Sequence, residues 1–311
     1  MTGALPFEIA LAVLLLAIAV WIVATRTAFA ATIAFIVYGL LLALVWVMLA
    51  AVDVALTEAA IGSGVTGMLL LGAAARLRAI ETASAAPSLL FKLVAGALCA
   101  IISAGLAAVM LDPPAVAPTL APAAMASLAE TGLGNPVAGV LFVYRALDTL
   151  LEKVVVVLAL IAVWSLTPDR AWGGVPEIRL YDQPSGTLTL LAQVLPPVGI
   201  MLGIYMFWTG ADHPGGAFQG GAILTAMWLL VMIVRLQPVP PISLGSLRFL
   251  VTVGPFIFLA IGFAGLALAG AFLAYPAGYA KPLIVLTEAG LTLSIGVTLA
   301  LLVAGPAERS Q

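Results

Sequence analysis

Apolar runs of about 20 residues, separated by short polar breaks, dominate this chain. That length is what a helix rising 1.5 Å per residue needs to cross a hydrocarbon layer about 30 Å thick. Inside lipid only helices and closed barrels satisfy every backbone polar group, so long unbroken apolar runs select an all-α, polytopic transmembrane helical bundle. Runs fall near 6–25, 31–50, 54–75, 89–110, 137–165, 187–209, 217–234, 248–273 and 282–304, about nine helices. Composition agrees: the 311 residues are 64% hydrophobic and 8% charged, with mean hydropathy +1.23. A soluble domain carries about a quarter charged residues, and this much polar surface cannot cover a water-soluble globule of this size.

The first run has no Lys or Arg before it, and Arg26 follows it. That flanking pattern is wrong for a cleaved secretory leader, so the run is read as a retained helix. The second and third runs join so tightly around Ala51–Val54 that they form a helical hairpin. With nine spans, Arg26, Arg76, Arg78, Lys92, Arg170, Arg179, Arg235, Arg248 and Arg309 fall on one side and only Lys281 on the other. Basic loops stay in the cytoplasm, which puts the C-terminus there and the N-terminus outside. The Pro/Ala-rich loop 111–136 has no basic residue and is expected outside. The polar segment 166–186 is expected to be a cytoplasmic connector between a five-helix region, 1–165, and a four-helix region, 187–311. No internal repeat is evident, which disfavours a self-sufficient secondary transporter of the common kinds.

The only cysteine is Cys99 and the only histidine is His213. No intrachain disulfide can form, and no Cys/His cluster can hold zinc, haem or an iron–sulfur cluster, so neither a metal nor a cofactor is expected. Electron transfer by this chain alone and an intramembrane enzyme are both disfavoured. A net charge of −2 without a basic patch argues against nucleic acid.

Ionisable residues inside spans are costly and usually functional. The fifth run carries Arg145, Asp148, Glu152 and Lys153. On one continuous helix Arg145, Asp148 and Glu152 share a face within about 60°, letting Arg145 pair with Asp148. Glu152 would sit near the midplane as a candidate proton-transfer group; static ion pairing that fixes helix packing is the alternative, and is favoured for Arg145 and Asp148. Asp53 is placed to cap the third helix. Glu58, one turn deeper and beside Gly62-Ser63-Gly64, is a second candidate transfer group, and Glu288 in the last run a third. Lys153 needs a counter-charge. The adjacent Glu152 points about 100° away, so Glu58 is the first expected partner and Glu288 the second.

Between the sixth and seventh runs lies Gly210-Ala211-Asp212-His213-Pro214-Gly215-Gly216-Ala217-Phe218-Gln219-Gly220-Gly221. Such a stretch turns sharply and lets helices approach closely. A structural re-entrant turn is the favoured reading; proton entry, pH sensing at the outer face and a catalytic role for His213 are the alternatives.

Three stretches together resemble a known family. AAVDVALTEAAIGSGV resembles a motif in the small domains at the C-terminal end of the large A-type subunit of Mrp antiporters, and NPVAGVLFVYRALDTLLEKVVV resembles the adjacent segment. GADHPGGAFQGGAIL, followed by LTEAGLTLSIGV, resembles the B-type subunit. Their order matches that in Mrp antiporters and membrane-bound hydrogenases, over roughly 30–305. The resemblance implies a membrane subunit of a multisubunit, complex-I-related Na+ (or other cation)/proton antiporter. Its partners would be large antiporter-like subunits, small helical subunits and the lipid bilayer. Asp53, Glu58, Arg145, Asp148 and Glu152 stand at matching motif positions. Three positions depart: Val143 stands where an acid usually precedes the Tyr-Arg pair, Lys153 where the family has a neutral residue, and Ala211 where it has a His. The rival readings are a subunit of a redox-driven complex, hydrogenase-like or for inorganic-carbon uptake, and a stand-alone transporter.

Overall fold

The computed structural model describes residues 5–77, 88–112, 119–176, 178 and 184–309. Helices α1 (Leu5–Ala24) and α2 (Ala28–Met48) pack together, and the Thr27 hydroxyl accepts from the Ala30 N–H to cap α2. Helix α3 runs as Val52–Thr57, a π-helical stretch Glu58–Val65, and Thr66–Leu77. Then come α4 (Leu89–Leu111), α5 (Ala121–Thr131), α6 (Pro136–Gly139, continued by a π turn Val140–Tyr144) and α7 (Ala146–Ser165). The second half holds α8 (Gly186–Thr209), α9 (Ala217–Ile233), α10 (Gly245–Ala269) and α11 (Ala280–Ala304). A two-stranded antiparallel ribbon pairs β1 (Val175–Pro176) with β2 (Ala307–Arg309).

Among the described residues seven helices, α1 to α4, α8, α10 and α11, are long and apolar enough to cross a membrane, and α9 is a shorter apolar helix. The chain is an all-α, multi-pass membrane protein. Its packing centre is α11, which contacts α7, α8, α9 and α10. Small residues bring these helices together: a Cβ at Gly254 of α10 would lie 2.9 Å from the Gly290 carbonyl of α11. Hydroxyls tie the same helices, with Thr225 donating to the Gly296 carbonyl at 2.8 Å and Ser294 donating to the Val251 carbonyl. By contrast α4 has no buried residue and α1 only Leu11, so their apolar side chains face outward.

Two expectations fail in the middle of the chain. The fifth run is not one helix over 137–165: Arg145, at φ −132° and ψ 37°, leaves the helical region between α6 and α7. Thr149 donates to the Leu141 carbonyl at 2.6 Å, satisfying an acceptor near the break. Arg145 therefore precedes the helix that carries Asp148 and Glu152, and Glu152 lies in its second turn rather than at mid-helix. The loop expected over 111–136 contains α5, which starts with Pro122 in its first turn and ends at Gly132 in the left-handed conformation.

Contacts sort the connections onto two ends of the bundle. At one end β1, in the connector, meets β2 at the C-terminus, and Arg76 lies 3.8 Å from Glu308. At the other end the Gly134 and Asn135 N–H groups donate to the Ala211 carbonyl, and Lys281 pairs with Asp212. Arg78, Arg179 and part of the 166–186 connector lie outside the described residues.

Candidate functional site: a charged cavity between helices

Asp53 of α3, Glu152 and Lys153 of α7, and Glu288 of α11 line one cavity of about 270 Å³, with Phe218 and Gln219 of α9. What brings them together is the turn Gly210–Gly216, which folds back into the bundle and starts α9 with Gly216 as its N-cap and no capping side chain. The N–H groups at such a helix start need acceptors. Asp53 supplies one, accepting from the Gly215 N–H at 3.0 Å. The Glu288 carboxylate of α11 lies against the same helix start, beside Gly210, Gly216 and Ala217. Two acids from two other helices thus face a helix start without a capping side chain, and negative charge there suits the helix dipole. Gly216 sits at φ 138°, which side-chain-bearing residues rarely adopt, and a Cβ on it would lie 3.3 Å from Glu288 Oε1.

Lys153 is only 4% exposed. Its ammonium lies 3.6 Å from Glu152 Oε2 and 3.1 Å above the centroid of the Phe218 ring. Glu288, 2% exposed, is within electrostatic reach of the ammonium. A buried ammonium persists only when compensated, and two carboxylates and an aromatic face do this here. Among the described residues Glu288 Oε2 has no hydrogen-bond partner. Glu152 reaches outward as well, with its side chain 52% exposed.

The site corrects several expectations. Lys153 pairs with its neighbour Glu152: the long lysine and glutamate side chains bridge the angle that separates them on the helix. Glu58 does not line the cavity. It folds back along its π-helical stretch, so that a Cβ at Gly62 would meet its carboxylate, and Gly39 of α2 lies 3.0 Å from Oε1 by the same measure. Asp53 is not the helix cap, a position held by Ala51; its side chain serves the Gly-rich turn instead. Phe218, Gly220 and Gly221 belong to the first turns of α9, leaving Pro214, Gly215 and Gly216 in the turn itself. His213 is exposed, and its carbonyl accepts from Asn135 Nδ2 at 3.1 Å. Arg145 Nε donates to Asp148 in an exposed pair beside Phe272–Ala274, outside the main cavity.

Sequence reasoning missed three supports. Asn135 caps α6 through the Val137 N–H and donates to the Gly210 carbonyl at 3.0 Å, holding the turn in place. The Asn-Pro pair before an apolar run is a helix-start signal that marks it. Gln219 donates to Thr57 Oγ1 at 3.0 Å, joining α9 to α3. Lys281 reaches both Asp212 carboxylate oxygens at 2.7 Å, and this hydrogen bond holds the Asp212 carboxyl below the usual range. Behind the site the Tyr275 hydroxyl donates to the Phe142 carbonyl at 3.1 Å, and burial pushes its phenol well above the ordinary value.

Chemically the cavity offers carboxylates that can bind and release a proton and a fixed ammonium that biases them. Among the described residues no cluster of three or more His, Cys, Asp or Glu could hold a metal ion.

Residues 13–79 match the MbhD family, the D-type subunit of MBH, and residues 187–307 match the domain related to the MnhB subunit of Na+/H+ antiporters. An uncharacterized protein of Methanocaldococcus jannaschii is 28% identical over 154 residues, covering 45% of this chain and 59% of that protein. The fold is similar to a chain of the Mrp complex from Dietzia sp. DQ12-45-1b, with TM-score 0.75 and 23% identity over 97% of this chain and 35% of that one. It is also similar to a chain of the membrane-bound sulfane sulfur reductase, an archaeal respiratory membrane complex, with TM-score 0.56 and 22% identity over 69% of this chain and 99% of that one. The chain thus spans less than two thirds of the curated relative and about a third of the Mrp-complex chain. Its two family matches, in this order, make it a chain in which an MbhD domain (13–79) is followed by a domain related to the MnhB subunit of Na+/H+ antiporters (187–307).

Proposed function

We propose that this chain is a membrane subunit of a multisubunit, complex-I-related monovalent cation/proton antiporter, and that its charged cavity forms part of the proton or ion path. It acts as a transport subunit and not as an enzyme. The observation that carries this reading is the convergence of Glu152, Lys153 and Glu288 on one cavity among α3, α7, α9 and α11. Charges are kept there at a cost, and proton relays are a recognised use of them. Glu58 and its π-helical stretch form a second acidic position on α3.

In this reading α7 and α9 also cross the plasma membrane, giving nine crossings with the N-terminus outside and the C-terminus in the cytoplasm. The five-helix region 1–165 and the four-helix region 187–311 are joined through the cytoplasmic connector 166–186. Partners are large antiporter-like and small helical subunits. In this reading the exposed Arg145–Asp148 pair, at the start of α7, and the half-exposed Glu152 on it face lipid or a neighbouring subunit. Such charges are expensive against lipid, and contact with another subunit removes that cost. Gentle detergent extraction should therefore yield this chain with larger antiporter-like subunits; a monodisperse chain that transports alone would contradict the reading. A second reading, a subunit of a redox-driven complex, is favoured by the MbhD match over 13–79. Co-purification with iron–sulfur or other redox subunits would decide for it.

A further inference from the structure

We propose that the Lys153 ammonium is a built-in cation occupying a monovalent-cation site made by Glu152, Glu288 and the Phe218 ring, so that the cavity excludes free Na+ while the lysine is present. The consequence, passage of protons without Na+ through this cavity, rests on the transport reading above; the binding site itself does not.

The surroundings of the ammonium are those a small cation seeks. Glu152 Oε2 is 3.6 Å away, and the Phe218 ring presents its negative face at 3.1 Å. Glu288 completes the set from α11, and its Oε2 has no hydrogen-bond partner although the residue is 2% exposed. That oxygen is a buried acceptor with unused capacity on the cavity wall. Lys153 compensates its charge without bonding to it, which leaves it free to take a proton. Asp53, the other acid on this cavity, already accepts from the Gly215 N–H. Space is sufficient for an ion: about 270 Å³ exceeds several times the ~30 Å³ share of a water, so a partly hydrated Na+ fits once the ammonium is gone. With the ammonium present, a second cation would meet like charge in a poorly screened interior.

The test uses the full-length chain with its co-purifying subunits in lipid nanodiscs, reading radioactive Na+ binding and the melting temperature in NaCl against choline chloride. Wild type should show no Na+ binding that depends on Glu288. Lys153→Met, which removes the charge and keeps most of the side chain's length, should gain a saturable Na+ site and a melting temperature that rises with NaCl. Adding Glu288→Gln should abolish both gains. Assembly of Lys153→Met in NaCl but not in choline would also support the inference. If that variant assembles in neither, Lys153→Gln, which leaves Glu152, Glu288 and Phe218 in place, is read by the same criteria. Na+ binding by the variant no greater than in wild type, or wild-type binding lost on Glu288→Gln, would overturn it. These outcomes are independent of transport: proton flux lost in Glu288→Gln with no Na+ site in Lys153→Met sinks the inference and leaves the transport reading standing.

Discussion

Glu288→Gln should abolish Na+/H+ exchange by the reconstituted complex while the complex still assembles. Glutamine fills the same space and keeps a polar oxygen beside Gly210 and Gly216 at the start of α9. What it loses is the ability to take up and release a proton at the oxygen that has no other partner. Removal of a positioned proton-transfer group costs roughly 10²–10⁴-fold in rate, and a loss on that scale is expected in proteoliposomes monitored with a pH-sensitive dye. Glu152→Gln should reduce exchange in the same assay, since Glu152 is the second carboxylate beside the ammonium. Wild-type exchange in either variant would make that residue structural.

Lys153→Ala should destabilise the assembled complex by about 3–5 kcal/mol, the scale seen when one partner of a buried ion pair is removed. Most of that cost is the orphaned carboxylate, so Lys153→Ala with Glu288→Gln, or with Glu152→Gln, should recover a substantial part of it. Glu58→Gln should instead combine additively with Lys153→Ala, because Glu58 lies against Gly39 and Gly62 and away from the cavity. Thermal stability of the purified complex across the three double-mutant cycles measures this. Additive losses with both Glu152 and Glu288 would show that Lys153 is compensated elsewhere.

Much of this was legible in the sequence because lipid imposes a strong one-dimensional rule. Apolar runs long enough to span gave the positions of α1 to α4 and α8 to α11 closely, and the motif order pointed to the family before any geometry was known. The break at Arg145 was not legible. No Pro or Gly occurs at 140–146, and the π turn that precedes the break takes part in tertiary contacts, such as Tyr275 with the Phe142 carbonyl, that a single helix's sequence does not display. The Lys153 pairing failed for a related reason. Angles on a helical wheel place Cβ atoms, whereas long side chains move their charged ends by several ångströms. The cavity was only half visible: Glu152, Lys153 and Glu288 stand out as charges in apolar runs, but Gln219 and Asn135 do not, and their roles come from the fold of the Gly-rich turn.

The measurement that tests the central claim most directly is Na+-driven proton movement in proteoliposomes, with the purified complex compared against the same complex lacking this chain and against the chain alone. The account predicts exchange by the whole complex, none by the chain alone, and loss of exchange when the chain is left out. Undiminished exchange by the complex without this chain, or exchange by the isolated chain, would contradict it.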